Sequence, residues 1–545
     1  MQRTILCLAV LGCTSIAYAQ PGTGAVTREQ PNILLMVADD LGFSDLGCYG
    51  AEVIETSNLN GLSKHGLRFV QFYSAGRGCP TRASLLTGLY AHQTDVGQML
   101  IDYGVPGYRG NLNRECATIA ERLGSAGYQT YMAGKWHLTL HVEERAPKHN
   151  WPQQRGFDHF FGTILGAGSY FRPATLTRGN EFIGYKEDGD FYYTEAIADE
   201  AVAMLDKAVV NRAPFFLYVS FTAAHWPLHA RPVLLNAYRG RFHMGWDELR
   251  EKRYQRMIDM KIIERYWKLT PRDPRVLSWF EAPFKDWHQR RMEAYAAQVE
   301  SMDQAVGRIL EKVKQLGREE NTLVMFLSDN GASGEEILAD WQGPHIPAKT
   351  SRGVGVQVGN DPQMMPGDEA TYQSYGVPWA NVSNTPFRSY KGTCYEGGIA
   401  VPLIVRWPAV IRPGLATGDI TREIGHVIDV AATCYDVAGV PYPQTQAGHP
   451  IKPLEGTSLL PFFLGKEMSP RPLFFEHEGN RAVRYGRWKL VAATGGAWEL
   501  YDMNADRTET ANVAGQNATV AEKMIALYDE WAQKVGVQPW RTGEE

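Results

Sequence analysis

The sequence predicts an α/β fold: a large mixed, mostly parallel sheet flanked by helices, with a smaller C-terminal antiparallel sheet plus helix. Several short apolar runs are continuous rather than alternating, which is typical of strands buried on both faces of a parallel sheet. Amphipathic stretches lie between these runs, as expected where helices connect parallel strands. Beyond about residue 445 the apolar runs become short and alternating, and this change predicts the second, antiparallel sheet.

Each predicted element follows from one of these patterns. Strands of the large sheet are predicted at 33–37, 128–132, 215–221 and 323–327, and helices at 194–209 and 291–316. Small-sheet strands are predicted at 482–485 and 488–491, followed by a helix at 520–535. The stretches 229–290 and 343–386 interrupt the pattern and are predicted to be insertions over the sheet, where substrate-selecting loops usually lie.

The N-terminus carries the features of an export signal. Arg3 precedes an apolar run at 5–11, and Ala17-Tyr18-Ala19 fits the small-x-small cleavage pattern. The predicted organisation is a signal peptide at 1–19, a catalytic domain at 30–445 and a C-terminal subdomain at 446–545. We therefore expect an exported protein, periplasmic or secreted. No later segment is apolar over the roughly 20 residues of a membrane span, so no membrane partner is predicted.

Charge and cysteine content exclude several classes of partner and site. A formal net charge of −5 over 545 residues, with acidic and basic residues interspersed, favours neither nucleic acid nor an anionic membrane surface. Small-molecule or saccharide substrates remain. The five cysteines beyond the signal are widely spaced and form no CxxC pair, so neither a disulfide framework nor a zinc site is predicted. The sequence indicates no particular oligomeric state.

Two acidic pairs follow predicted strands. Asp39-Asp40 comes after the strand at 33–37, and Asp329-Asn330 comes after the strand at 323–327. Residues just past the C-terminal ends of parallel strands converge on one crevice, so we expect the two pairs to meet. Three carboxylates and an amide oxygen are hard ligands, which favour calcium or magnesium over zinc. The alternative is that each pair caps the helix after its strand.

Cationic and imidazole side chains form a second set: Arg82, Lys135, His137, His225 and Lys391. Arginine and lysine would hold a dianionic tetrahedral group, and a histidine would protonate its leaving oxygen. Lys135 and His137 are two positions apart, so in an extended stretch their side chains point the same way. Taken singly, each of these residues is more often a surface charge or a hydrogen-bonded histidine.

The stretch from Gly78 to Gly88 predicts a short helix that begins near Pro80. Proline suits the first turn of a helix, Arg82 lies in that turn, and Gly88 ends it. The free amides of a helix start point at an anion, and Arg82 would strengthen the binding. An ordinary short helix after a strand is the alternative.

Segments spread over nearly the whole mature chain form a recognisable series: PNILLMVADDLG, GCPTRASLLTG, GKWHL, AAHWPLHA, LSDNGASG, YKGTCYEGG and WELYDMNADRTET. With them the chain resembles the type I sulfatases, the formylglycine-dependent sulfate ester hydrolases of the alkaline phosphatase superfamily. It is most similar to the bacterial arylsulfatases. The family signature is C/S-x-P-x-R followed by LLTG, and Pro80, Arg82 and Gly88 match it here.

The resemblance implies a function and a site. It implies the hydrolysis of sulfate monoesters at one calcium ion, held by Asp39, Asp40, Asp329, Asn330 and an oxygen of a modified residue at position 78. Arg82, Lys135 and Lys391 would hold the sulfate and the modified residue, while His137 and His225 would assist the nucleophile and the leaving group. The family nucleophile is an aldehyde, formylglycine, made from the first residue of the signature.

Gly78 departs from this pattern. The family has cysteine or serine two positions before the proline, whereas glycine offers no atom to oxidise and Cys79 lies one position too late. Three explanations remain: a formylglycine written as glycine, a natural or engineered loss of the nucleophile, or a sulfatase-like binding protein. The competing functions are a non-catalytic binder of sulfated ligands and a phosphodiesterase or phosphonate hydrolase of the same superfamily. A two-metal phosphate site would need further Asp and His ligands. The single set of metal ligands and the lysines predicted to contact the anion therefore favour a sulfate ester over a phosphate ester.

Three tryptophans in predicted loops have two possible roles. Trp226, Trp246 and Trp279 would suit the wall of an aryl or sugar pocket. Tryptophan is also a common residue of protein cores. The sequence leaves both interpretations open.

Overall fold

The computed structural model describes residues 30–184, 190–210, 213–411 and 420–540. The predicted export signal lies outside these residues. The strands, in chain order, are β1 (Asn32–Ala38), β2 (Leu67–Tyr73), β3 (Gln129–Gly134), β4 (His159–Thr163), β5 (Leu176–Arg178), β6 (Glu181–Phe182), β7 (Phe215–Ser220), β8 (Thr322–Ser328), β9 (Gln357–Val358), β10 (Thr371–Tyr372), β11 (Ala400–Arg406), β12 (Ile420–His426), β13 (Thr445–Gln446), β14 (His449–Pro450), β15 (Leu473–His477), β16 (Asn480–Tyr485), β17 (Trp488–Ala492) and β18 (Glu499–Asp502).

Helices connect and cover these strands. They are α1 (Ser57–Lys64), α2 (Gly78–Thr87), α3 (Ile119–Ser125), α4 (Tyr193–Val210), α5 (Pro232–Ala237), α6 (Gly245–Asp259), α7 (Lys285–Gln315), α8 (Gly376–Ser383), α9 (Glu396–Ile399), α10 (Ile428–Ala438), α11 (Leu460–Phe463) and α12 (Ala518–Val535). Short 3₁₀ helices lie at Gly47–Tyr49, Ala91–Thr94, Pro152–Arg155 and Ala514–Gln516.

The central sheet has ten strands in the order β12-β2-β11-β8-β1-β7-β3-β4-β5-β6. Its middle strands β8, β1, β7, β3 and β4 run parallel, and β2 pairs in parallel with β12. Antiparallel pairing is confined to β11 and to the β4-β5-β6 edge. The prediction of a large mixed, mostly parallel sheet is confirmed.

Alternate side chains of the central strands enter two separate cores, one on each face of the sheet. In β1, Leu34 and Met36 pack with the cluster that contains α4 and α7, while Ile33, Leu35 and Val37 pack with the cluster that contains α2, α3 and α10. All five side chains are fully buried. Burial on both faces is the reason that the apolar run is continuous rather than alternating.

The C-terminal sheet is antiparallel, in the order β15-β16-β17-β18, and α12 packs on it. This confirms the predicted small sheet with one helix. A buried ion network connects this sheet to the main sheet: Lys489 Nζ lies 2.9 Å from Glu396 Oε1 and 2.8 Å from Glu509 Oε1, and Arg507 Nε lies 2.8 Å from Glu396 Oε2. All four side chains are fully buried, so each charge depends on its partners.

The helix predictions need only small changes. The predicted helices at 194–209, 291–316 and 520–535 are observed as α4, α7 and α12, and α7 begins six residues earlier, at Lys285. The predicted insertion at 229–290 contains α5, α6 and the start of α7. The five cysteines of the described residues are buried and unpaired. Within the same part of the chain, no helix is long and apolar enough to cross a membrane.

Candidate active site

The register of the central strands brings the predicted site residues to one edge of the sheet. Ala38 at the end of β1 is in register with Ser328 at the end of β8, so Asp39 and Asp329 leave the sheet side by side. Backbone hydrogen bonds extend this alignment past the strand ends, from Asp329 N to Ala38 O at 3.1 Å and from Asp39 N to Ala223 O at 2.9 Å. Residues far apart in sequence therefore meet because their strands are neighbours.

The acidic pairs lie among buried cations rather than acting as simple helix caps. Lys135 Nζ lies 2.6 Å from Asp39 Oδ2, and Arg82 Nη2 lies 2.8 Å from Asp329 Oδ2 and 3.8 Å from Asp39 Oδ2. Lys391 Nζ lies 2.9 Å from Asp40 Oδ2. Arg82 Nη1 also donates to Ser220 Oγ; all of these side chains are buried except that of Lys391, which is 7% exposed.

The oxygen atoms of this cluster fit a hard divalent cation. Asp39, Asp40 and His225 offer ligand atoms that lie within 4.8 Å of one another. Asn330 Nδ2 donates to Asp40 Oδ1 at 2.7 Å, whereas Asn330 Oδ1 is buried and has no hydrogen-bond partner within the described chain. A buried carbonyl oxygen without a partner is costly, and a cation would satisfy it. Asp39, Asp40 and Asn330, which the sequence predicted as calcium ligands, are thus neighbours, and Asp329 Oδ1 accepts from Asp40 N at 3.2 Å. The cluster of mutually close ligand atoms, however, contains His225 rather than Asp329.

The electrostatics of Asp40 and Asp329 differ, although both carboxyls are buried. Burial and the neighbouring Asp39 raise the pKa of Asp329 to about 6, because they outweigh the attraction of Arg82. Burial also raises the pKa of Asp40, but Lys391 and His225 outweigh it and bring the pKa below its ordinary value. A bound divalent cation would favour the ionised form of both groups.

Residue 78 lies next to Asp329 and Arg82 of this cluster. Gly78 is the first residue of α2, which begins two residues before Pro80, where the helix was predicted to begin; Gly88 ends it in the left-handed conformation, as predicted. A Cβ atom on Gly78 would lie 3.0 Å from Asp329 Oδ2 and 3.9 Å from Arg82 Nε. Arg82 Nε is buried and has no hydrogen-bond partner among the described residues. A side chain at position 78 would therefore project towards an unused donor.

His225 follows β7 and is in contact with both Lys391 and Asp40. Its Nδ1 is 2.7 Å from the carbonyl oxygen of Trp226, and its Nε2 is 3.3 Å from Lys391 Nζ and 3.5 Å from Asp40 Oδ2. Burial lowers the pKa of His225 to about 4, because the attraction of Asp40 only partly compensates for the lost hydration. The neutral ring with its proton on Nδ1 leaves Nε2 as an acceptor for the lysine ammonium.

His137 reaches the same cavity by a different route from the one predicted. The strand β3 ends at Gly134, and His137 has a φ of 54°, so the stretch from Lys135 to His137 is not extended and the two-residue spacing does not by itself align the side chains. Both side chains nevertheless line the cavity. The ring of His137 lies 3.4 Å from Cys79 Sγ, and burial lowers the pKa of His137 well below its ordinary value.

A cavity of about 210 Å³ opens above the cluster. Its lining includes the predicted residues Asp39, Asp40, Gly78, Lys135, His137, His225 and Lys391. Arg82, Asp329 and Asn330 do not line it but contact residues that do. Sequence reasoning missed Arg77, Met99, Glu335 and His345, which also line the cavity. Two features of the sequence could have pointed to these residues. Arg77 is adjacent to Gly78, and Glu335 comes five residues after Asn330.

The three tryptophans separate into both predicted roles. Trp226 lines the cavity, and its ring packs against Trp341 and His345. Trp246 is buried, and its ring packs against Trp279 at a centroid distance of 4.7 Å. Trp226 is therefore the one of these three that lines the cavity, while Trp246 and Trp279 pack against each other within the insertion.

An α/β sheet that presents three carboxylates, several cations and two histidines at one edge has the groups needed to bind and hydrolyse an anionic ester. The sulfatase family model matches residues 31–440, and a model described as N-sulphoglucosamine sulphohydrolase, C-terminal, matches residues 389–534. The chain belongs to the sulfatase family and is a sulfuric ester hydrolase. This agrees with the resemblance seen in the sequence.

Named relatives are similar over almost their whole lengths. The chain is 33% identical over 542 residues to an uncharacterized sulfatase of Schizosaccharomyces pombe, covering 93% of this chain and 94% of the relative. It is 32% identical over 465 residues to the arylsulfatase of Klebsiella aerogenes, covering 80% and 93%. A solved structure described as Ps i-CgsB in complex with k-i-k-neocarrahexaose matches with a TM-score of 0.66 at 24% identity, covering 94% and 96%.

Proposed function

We propose that this sulfuric ester hydrolase cleaves sulfate monoesters at a single calcium ion, with the nucleophile carried by residue 78. The ion would be held by the oxygen atoms of Asp39, Asp40, Asp329 and Asn330. The observation that carries the proposal is a pair of buried, unpartnered atoms: Asn330 Oδ1, whose amide group contacts Asp40, and Arg82 Nε, which lies 3.9 Å from the position of a Cβ on Gly78. One atom accepts and the other donates, so a cation and an oxygen-bearing side chain would satisfy both.

The charge balance of the site also supports an anionic substrate. Asp39, Asp40, Asp329 and Glu335 oppose Arg77, Arg82, Lys135 and Lys391, which gives four charges of each sign. A calcium ion, when bound, would add two positive charges to this balanced set and polarise the sulfate oxygens. The cavity would then attract an anion, which Lys135 and Lys391 are placed to hold.

The two histidines are placed for proton transfer. Lys391 and His225 lie 3.3 Å apart at Nζ and Nε2, so together they can pass a proton to the leaving oxygen. His137 also lines the cavity, next to Cys79 and within the same lining as Gly78. We assign His225 to the leaving group and His137 to the nucleophile at position 78.

The chemical identity of residue 78 determines whether the site hydrolyses sulfate esters. Formylglycine at this position would supply the nucleophilic oxygen that glycine lacks. A chain with true glycine binds sulfate esters and hydrolyses them only slowly. Cys79 does not replace the nucleophile, because burial raises the pKa of its thiol to about 12 and keeps it protonated.

The substrate we propose is an aryl or saccharide sulfate ester. One relative is named an arylsulfatase, and one matching structure is described in complex with k-i-k-neocarrahexaose. Trp226 and His345 line the cavity and present aromatic faces to either kind of ring, and Trp341 packs against Trp226. We also propose export to the periplasm or the exterior, on the strength of the N-terminal signal pattern.

The intact mass of the mature protein, measured with a kinetic assay on a chromogenic aryl sulfate, tests this proposal. A mass matching an aldehyde or its hydrate at position 78, together with turnover, supports the enzyme. A glycine mass with sulfate binding and negligible turnover supports the competing sulfated-ligand binder. A glycine mass with brisk turnover contradicts the nucleophile assignment. Equal hydrolysis of aryl phosphate and aryl sulfate favours the phosphodiesterase or phosphonate hydrolase instead.

A further inference from the structure

Glu335 lies in the wall of the cavity and connects three separate segments of the chain. Its Oε2 accepts hydrogen bonds from Lys391 Nζ at 2.9 Å, from Trp226 Nε1 at 2.9 Å and from Ser333 Oγ at 3.0 Å. Its Oε1 accepts from Arg77 Nη2 at 3.0 Å. Lys391, Trp226 and Arg77 all line the cavity, and none of them is near the others in sequence.

The contacts of Lys391 show what the carboxylate does. The ammonium lies 2.9 Å from both Asp40 Oδ2 and Glu335 Oε2, so it is held between two carboxylates at equal distances. Without Glu335, the remaining carboxylate partner of Lys391 would be Asp40, in the proposed calcium cluster. The ammonium would then move towards Asp40 and compete there with a cation, instead of facing the cavity.

The other two contacts set the shape of the cavity. Arg77 immediately precedes Gly78, and its bond to Glu335 fixes the entry into α2 at the nucleophile position. The indole of Trp226 is held by its Nε1, so its ring faces are presented in one orientation. A single carboxylate thus fixes a cation, an aromatic wall and the start of the helix.

We propose that Glu335 is a positioning residue, which aligns Lys391, Arg77 and Trp226 for sulfate ester binding. The inference rests on the proposed function, since it assumes that Lys391 holds the sulfate. Glu335 acts through its neighbours, because its carboxylate accepts from Arg77, Trp226 and Lys391, each of which lines the cavity.

Glu499 offers a matched control outside the cavity. Its side chain is 30% exposed against 26% for Glu335, and it also pairs with an arginine, Arg388, at 2.9 Å. Its Oε2 accepts further hydrogen bonds from Tyr395 and Tyr501. Loss of Glu499 therefore removes a similar number of contacts from the fold without touching the cavity lining.

The test is calorimetric titration of inorganic sulfate, in calcium-containing buffer, into the protein as it exists and into four variants: Glu335→Ala, Glu335→Gln, Glu499→Ala and Glu499→Gln. We expect Glu335→Ala to weaken sulfate binding at least tenfold. This is about the effect of losing one charge-assisted contact, here the contact between Lys391 and the sulfate. Glu335→Gln should stay within about threefold of the parent, because the amide oxygen still accepts from Lys391 and Trp226. Both Glu499 variants should bind sulfate like the parent.

Each other outcome has a defined meaning. Sulfate affinity that is unchanged or higher in Glu335→Ala overturns the inference, because Glu335 would then only neutralise the cations. Equal losses in the Glu335 and Glu499 variants also overturn it, since the effect would be general destabilisation. If Glu335→Ala does not fold, the sulfate affinities of Glu335→Gln and Glu335→Asp test the inference instead. An aspartate variant, with its shorter side chain, that binds sulfate as well as the parent contradicts a positioning role. A parent that binds no sulfate overturns the proposed function itself.

Discussion

The substitution Gly78→Cys, made in a host that carries the maturation enzyme, tests the site at its central position. Gly78 lies in the first turn of α2, and its φ is outside the left-handed region, so a side chain brings no backbone strain. Replacing a glycine within a helix by alanine stabilises the helix by about 0.5–1 kcal/mol, and cysteine at this first position gains less. The new Cβ would meet Asp329 Oδ2 at 3.0 Å, so the carboxylate must move by a few tenths of an ångström. These effects oppose each other, and we expect a stability change within about 1 kcal/mol.

The effect on turnover should be far larger than the effect on stability. The substitution restores the C-x-P-x-R spacing ahead of Pro80 and Arg82 and provides a residue that can be oxidised to formylglycine. Since covalent catalysis by a positioned nucleophile accounts for much of an enzyme's rate, we expect aryl sulfate hydrolysis to rise by at least about 10³-fold over the glycine form. Release of a chromogenic alcohol measures the rate, and intact mass measures the extent of conversion to the aldehyde.

Gly78→Ala is the matched control for this experiment. It introduces the same Cβ contact with Asp329 and a larger gain in helix propensity, but no atom that can become a nucleophile. It should be at least as stable as the cysteine variant, by up to about 1 kcal/mol, and stay as inactive as the glycine form. A cysteine variant that carries the aldehyde by mass and still shows no sulfate ester hydrolysis would refute the reasoning.

Two further predictions concern the groups around position 78. Asp329→Ala should abolish tight calcium binding, because it removes a central carboxylate of the oxygen cluster; calorimetry that finds parental calcium affinity shows the ligand set to be wrong. In an active form of the protein, His137→Ala and His225→Ala should each lower kcat by about 10²–10⁴-fold, the usual effect of losing one partner in proton transfer. If steady-state kinetics show full turnover in both histidine variants, the acid–base assignment fails.

The convergence of the site was predictable because it follows from strand order. Asp39, Lys135, His225 and Asp329 each come within five residues of the end of a neighbouring parallel strand, and parallel strands end at one edge. Continuous apolar runs also located β1, β7 and β8 to within one residue at each end. Both inferences depend on local patterns and one general rule of sheet geometry.

The role of Glu335 was not predictable in the same way. Its partners Arg77 and Trp226 lie 258 and 109 residues away, and they meet it through loops whose course no periodicity describes. His137 shows a related failure, because its left-handed φ replaces the extended geometry that the spacing argument assumed. Features that depend on loop conformation or on long-range side-chain pairing need the structure.

Acid sensitivity of the fold should depend on His229, a buried histidine outside the proposed catalytic groups. Its Nε2 lies 2.7 Å from the carbonyl oxygen of Thr371, and its Nδ1 lies 3.4 Å from Tyr170 N, so the neutral ring both donates and accepts. Burial lowers the pKa of His229 from 6.5 to about 4. The unfolded chain therefore binds this proton below about pH 6.5 while the folded protein does not, and stability falls as the pH drops towards 4.

Between pH 6.5 and 4.5 this one group removes about 2–3 kcal/mol from the free energy of unfolding. Gln at position 229 can donate and accept a hydrogen bond but does not titrate. His229→Gln should therefore reduce the difference in unfolding free energy between pH 6.5 and 4.5 by that amount, as measured by urea denaturation at the two pH values. His65→Gln, at a solvent-exposed histidine, is the control and should leave the difference unchanged. If His229→Gln retains the full pH dependence of the parent, the buried ring of His229 is not a source of the acid sensitivity.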